Sequence, residues 1–115
     1  MNKKEFLDMV EMLTNATALN RLNWKEINLE IFETEVNGCC IRLHSYYDFS
    51  VREAFCEMKL YNVEKKEFAS YSFSEVTDKN EYNYLYSLFN LIRDIHYKIS
   101  ESESAIMSGL KELLK

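Results

Sequence analysis

Residues 31–44 read Ile31-Phe32-Glu33-Thr34-Glu35-Val36-Asn37-Gly38-Cys39-Cys40-Ile41-Arg42-Leu43-His44, and the fold follows from how this stretch turns. Two β-prone runs flank Asn37-Gly38. A two-residue hairpin loop that matches the twist of its strands needs positive φ at both central positions, which Asn tolerates and Gly adopts freely. A loop of that length fixes the register. Val36 then faces Cys39, Thr34 faces Ile41 and Phe32 faces Leu43 on one side. On the other, Glu35 meets Cys40, Glu33 meets Arg42 and Ile31 meets His44. Successive strand side chains point to opposite faces, so one face of the hairpin is apolar and the other sets an acid opposite a base.

The pattern continues downstream. Tyr46 to Ser50 reads as a polar, aromatic connection, and Val51 to Tyr61 as a third strand. Ala54, Cys56, Met58 and Leu60 should be buried there, alternating with Glu53, Phe55, Glu57, Lys59 and Tyr61. Asn62 to Lys66 is a charged turn, and Glu67 to Phe73 a fourth strand with Ala69, Tyr71 and Phe73 toward the core.

Helical periodicity frames these strands. Phe6, Met9, Val10, Leu13 and Thr17 fall on one face of a helix from Lys3 to about Asn20, and Trp24 is placed to seal the corner between helix and sheet. Near the other end, Asp78 with Glu81 three positions on resembles a capping box. Leu85, Leu88, Phe89, Ile92, Ile95 and Ile99 follow as an apolar stripe. Ser100-Glu101-Ser102-Glu103-Ser104 interrupts that stripe, and Ala105, Ile106, Leu110, Leu113 and Leu114 resume it. A continuous helix would reach about 50 Å, longer than a domain of this size, so its end would have to pack on a second chain. A break near 100–104 is the favoured reading. The expected architecture is α+β in one domain, 1–115: an N-terminal helix, a four-stranded antiparallel meander and a C-terminal helix, with the helices on one sheet face.

Composition narrows the function classes. At 115 residues, 47% hydrophobic and 29% charged, the chain can bury a core without staples. Its net charge of −5 and its lack of a basic stripe argue against nucleic acid and against an anionic membrane surface. No leader-like or membrane-spanning run is present, and three cysteines, two of them adjacent, read as free thiols of a reducing cytoplasm. Zero prolines, with Lys, Asn, Ile and Tyr abundant, suggest an AT-rich bacterial or phage genome.

Reaction machinery is hard to assemble from these residues. Cys39, Cys40, Cys56, His44 and His96 lack the ligand spacing of a zinc site, so no metal is expected. Cys40 and His44 lie about 13 Å apart along one strand, too far for proton transfer. Glu30, Glu33, Glu35, Glu53 and Glu57 read as the wet face of a sheet rather than as paired catalytic acids. The two glycines are too few and too far apart to cradle phosphate, and no cofactor is expected.

The aromatics, at 14% of the chain, point instead to contact with another protein. Phe55, Tyr61 and Phe68 are expected on the outer sheet face, and Tyr82 and Tyr86 off the main stripe of the last helix. These five are the candidate partner-binding residues. Ile106, Leu110 and Leu113 could dock on their own domain, a second copy or a partner groove. In architecture alone, a small acidic α+β chain ending in an amphipathic helix is similar to secretion chaperones, immunity proteins and phage-encoded inhibitors, and fold does not carry function with it. The expected role is binding or occluding a partner protein, one of basic character suiting the charge. The alternative is a homo-oligomer, as simple as a homodimer, assembled through the open sheet face or the C-terminal helix. An enzyme is the least favoured reading.

Overall fold

In the computed structural model, which describes all 115 residues, Asn37 and Gly38 have φ of 51° and 80°. All six cross-strand pairs set by that turn are present, from Val36 opposite Cys39 to Ile31 opposite His44. The elements are α1 (Lys3–Ala18), β1 (Lys25–Asn28), β2 (Ile31–Val36), β3 (Cys39–Asp48), β4 (Glu53–Tyr61), β5 (Glu67–Ser74), α2 (Lys79–Tyr97) and α3 (Ile99–Leu113). The strands form one antiparallel sheet in the order β1-β2-β3-β4-β5.

The sheet therefore has five strands where four were expected. β1 escaped the pattern because its four residues offer one apolar side chain, Ile27, which stays exposed, and its ladder with β2 is irregular between Glu26 and Asn28. It pairs with only the first half of β2. The far end of α2 ties it down: His96 Nε2 lies 2.9 Å from Glu26, and the Tyr97 hydroxyl donates to the same carboxylate. A second correction concerns Tyr46 and Tyr47, which continue β3 to Asp48 instead of forming a connection. The turn lies beyond them, where the Asp48 carboxylate accepts from Ser50 N and Oγ.

α1 and α2 cover one face of the sheet. Phe6, Val10 and Leu13 of α1 and Leu85, Leu88, Phe89 and Ile92 of α2 pack on Phe32, Ile41, Leu43, Cys56, Met58 and Leu60. Phe32 meets Phe89 edge-on at 5.5 Å, and Phe6 sits against Tyr71 and Phe73 of β5. Trp24 closes the corner as expected. Its Nε1 donates to Thr17 Oγ1 at 2.9 Å, and that hydroxyl donates to the Leu13 carbonyl at 2.6 Å, so both buried polar groups are satisfied.

Helix ends depart from expectation in two places. The capping box is at α1, where Asn2 Oδ1 accepts from Glu5 N at 2.8 Å and Glu5 reaches back to Asn2 N. Asp78 does precede α2, but its carboxylate accepts from Ser74 N at 3.2 Å, holding the end of β5 instead of the helix. The second departure is the helix break, which falls at Lys98 rather than at 100–104. Lys98 is left-handed at φ 51°, and Asp94 Oδ1 accepts from Ser100 N at 2.9 Å, capping the start of α3. The serines that looked like a breaker are helical because that carboxylate supplies an acceptor for a donor a helix start leaves unpaired.

α3 leaves the domain. None of its residues is buried. The molecule measures 57 × 35 × 25 Å with a radius of gyration of 16.4 Å, against about 13 Å for a compact chain of this length.

Candidate interaction surfaces

Two surfaces remain uncovered: the outer sheet face and α3. The outer face is built by the alternation that fills the core. The inward set of β3 and β4 is apolar, so Arg42, His44 and Tyr46 of β3 come out beside Lys59, Glu57 and Phe55 of β4 by direct pairing. Tyr46 stacks on Phe55 with centroids 5.5 Å apart and planes 16° from parallel, and His44 lies 4.6 Å from Tyr46. These three rings make a continuous row. Offset-stacked rings keep their faces toward whatever covers the sheet and are stiff, so they lose little entropy on contact.

Around the row the surface is charged and mostly paired. His44 lies 3.2 Å from Glu30. Lys59 stands 3.6 Å from both Glu57 and Glu67, and these two carboxylates hold its ammonium pKa above the ordinary value. Arg42 bonds Glu33, which raises its pKa, and places its guanidinium 5.5 Å over the Tyr61 ring. Strand positions on this face supply six carboxylates (Glu33, Glu35, Asp48, Glu53, Glu57 and Glu67) against the three cations Lys25, Arg42 and Lys59.

The five residues expected to bind a partner do not form one surface. Phe55 and Tyr61 share the outer face and are half-buried, Phe55 in the ring row and Tyr61 beneath Arg42. Phe68 is 63% exposed at the start of the edge strand β5, where the ladder with β4 is irregular beside Tyr61. Tyr82 corrects the reading: it is 6% exposed and belongs to the core. It lies three residues before Leu85 and seven before Phe89, on the stripe itself, and burial pushes its hydroxyl up to about 12. Tyr86 is half-buried against Tyr82 at 5.3 Å, on the helix side of the sheet. The residue missed was Tyr46. Its signal was available, since His44, Tyr46 and Asp48 continue the outward alternation of β3.

At one end of the outer face, where β1 leaves Thr34 to Val36 unpaired, lies a cleft of about 720 Å³. Arg21, Lys25, Cys40, Tyr61 and Lys65 are among its walls, and the ion pair of Lys65 with Glu35 crosses its rim. Burial raises the Cys40 thiol, which keeps it protonated and a poor nucleophile. Cys56 is fully buried, and desolvation pushes it to about 12. Both histidines face carboxylates, His44 at Glu30 and His96 at Glu26. No group of three or more His, Cys, Asp or Glu side chains stands close enough to hold a metal ion. No helix is long and apolar enough to cross a membrane.

The second surface is one side of α3. Ile106, Met107, Leu110, Leu113 and Leu114 are all exposed, Leu113 at 80% and Leu114 at 87%. Together with half-buried Ile99 they line one side of the helix, Lys111 lies at its border one turn after Met107, and Ser104, Ser108, Glu112 and Lys115 occupy the other side. Comparison with protein-family models, curated proteins and solved structures finds no match.

Proposed function

We propose that this chain is a small protein-binding module that holds or occludes a partner protein on its outer sheet face. The observation that carries this reading is the continuous row His44–Tyr46–Phe55, stiff, aromatic and half-exposed, on a sheet face that no element of the chain covers. Buried aromatic anchors inside a polar rim are the usual energetic centre of a protein interface. The excess of carboxylates on the same face favours a partner with a basic surface. A cytoplasmic inhibitor, immunity protein or chaperone of bacterial or phage origin fits this description, and the reading involves no catalysis.

The test is affinity capture from lysate of the source organism, with wild type and Phe55→Glu as baits. Phe55 packs outside the core, so the variant should melt like wild type while its partner is lost, a weakening of about 2 kcal/mol or more. A partner captured equally by both baits would remove the ring row as the binding surface.

A further inference from the structure

The geometry points to α3 as a dimerisation element that pairs antiparallel with α3 of a second copy of this chain. This goes beyond the sheet-face reading and uses a different surface. The apolar side runs the length of the helix, from Ile99 through Ile106 and Leu110 to Leu113, with Met107 and Leu114 beside it. Nothing in the chain touches that side enough to bury a single residue. The helix is nevertheless firmly set. The left-handed Lys98 and the bonds from Ser100 N and Oγ to Asp94 fix the direction in which it leaves the domain. A rigid apolar helix projecting from a domain is one half of a two-helix contact.

Charge selects the second copy and its direction. Glu103 lies within the apolar side itself, one turn before Met107. Covering that side would strand a carboxylate away from water, which is costly unless a cation meets it. The C-terminal half carries Lys111, and neither residue makes an ion pair within the chain, where the only pair in α3's last turns joins Lys115 to Glu112. If two α3 helices cross antiparallel about Met107, Glu103 of each copy lies level with Lys111 of the other, and the two-fold axis repeats the pair. A parallel pair would set Glu103 against Glu103. Antiparallel packing also opposes the two helix dipoles. Gly109 borders the apolar side, and a Cβ there would meet nothing within 4 Å. The chain's own packing gives no reason for this poor helix former in mid-helix, whereas close approach of a second helix does.

The experiment is sedimentation equilibrium of the full chain up to about 100 µM, with circular dichroism as the control for folding. Wild type should run at twice 13.7 kDa. Leu110→Glu should run as a monomer with unchanged helicity, the dissociation constant rising by at least about a hundredfold. Glu103→Lys should weaken the dimer about tenfold, and adding Lys111→Glu in the same chain should restore it. A wild-type chain that stays monomeric at the top concentration overturns the proposal. So does a dimer that survives Leu110→Glu, which would assemble elsewhere, and failure of the charge swap to restore pairing rules out the antiparallel arrangement. The Phe55→Glu capture result is independent of all three outcomes.

Discussion

α2 and α3 adjoin in the chain and carry the same kind of apolar stripe, yet α2 buries Tyr82, Leu85, Leu88, Phe89 and Ile92 while α3 buries nothing. The difference does not lie in their periodicity. It lies at Lys98, where one residue at positive φ turns the chain away from the sheet. Periodicity states that a face needs covering. The geometry of the joint decides whether the chain itself or another molecule covers it.

The largest effect should come from treating the two stripes alike. Leu88→Ala removes a fully buried side chain and should cost about 2–5 kcal/mol. Leu110→Ala, in dilute solution where the chain is monomeric, should stay within about 0.5 kcal/mol of wild type. Paired urea melts measure both, and equal losses would mean that α3 folds back on the domain. A smaller effect is expected at the joint. Asp94→Ala removes the acceptor for Ser100 N and should cost the start of α3 about 1 kcal/mol. Hydrogen exchange should then quicken in the first turn of α3 and leave the centre of α2 unchanged. Faster exchange throughout both helices would mean that they unfold as one unit.

The smallest effect belongs to the other end of α2. Lys3 reaches Glu81 at 2.7 Å, and that bond holds the Glu81 carboxyl below the ordinary carboxylate value. A depressed folded pKa stabilises above the unfolded value and loses its contribution as pH falls through the folded one. Lys3→Met should therefore be slightly less stable than wild type near about pH 7, and the gap should close as acid protonates the Glu81 carboxylate. It should also close in high salt, because the pair is at the surface. A gap that persists in acid would assign the effect to packing of the lysine stem.

The hairpin was legible because Asn37-Gly38 and the alternation on either side of it constrain the same register from two directions. Trp24 and the two buried stripes were legible for a similar reason, each being large and periodic. β1 was not, since its one apolar side chain, Ile27, stays exposed and Glu26 holds its place through partners distant in sequence, His96 and Tyr97. Tyr82 was not, because a tyrosine one turn ahead of the aliphatic stripe carries a polar hydroxyl that reads as surface, although its ring joins the core. The ring row was half legible. Phe55 and His44 followed from alternation, but Tyr46 between them depends on β3 extending through residues rich in polar atoms. Lys98 gave no signal, because lysine has no preference for the left-handed region and the carboxylate that fixes the turn lies four residues earlier.

The order of strands in the sheet repeats their order in the chain. Each strand pairing thus closes a short loop, and formation of the sheet asks little of chain diffusion. Individual hairpins of this kind form in about 1–10 μs. The slow event is left to the two ends of the sequence, because α1 and α2 must meet over the finished sheet. The chain has no proline, so no peptide-bond isomerisation can add a phase of tens of seconds. Refolding of the domain should follow a single exponential, with its rate set by the docking of α1.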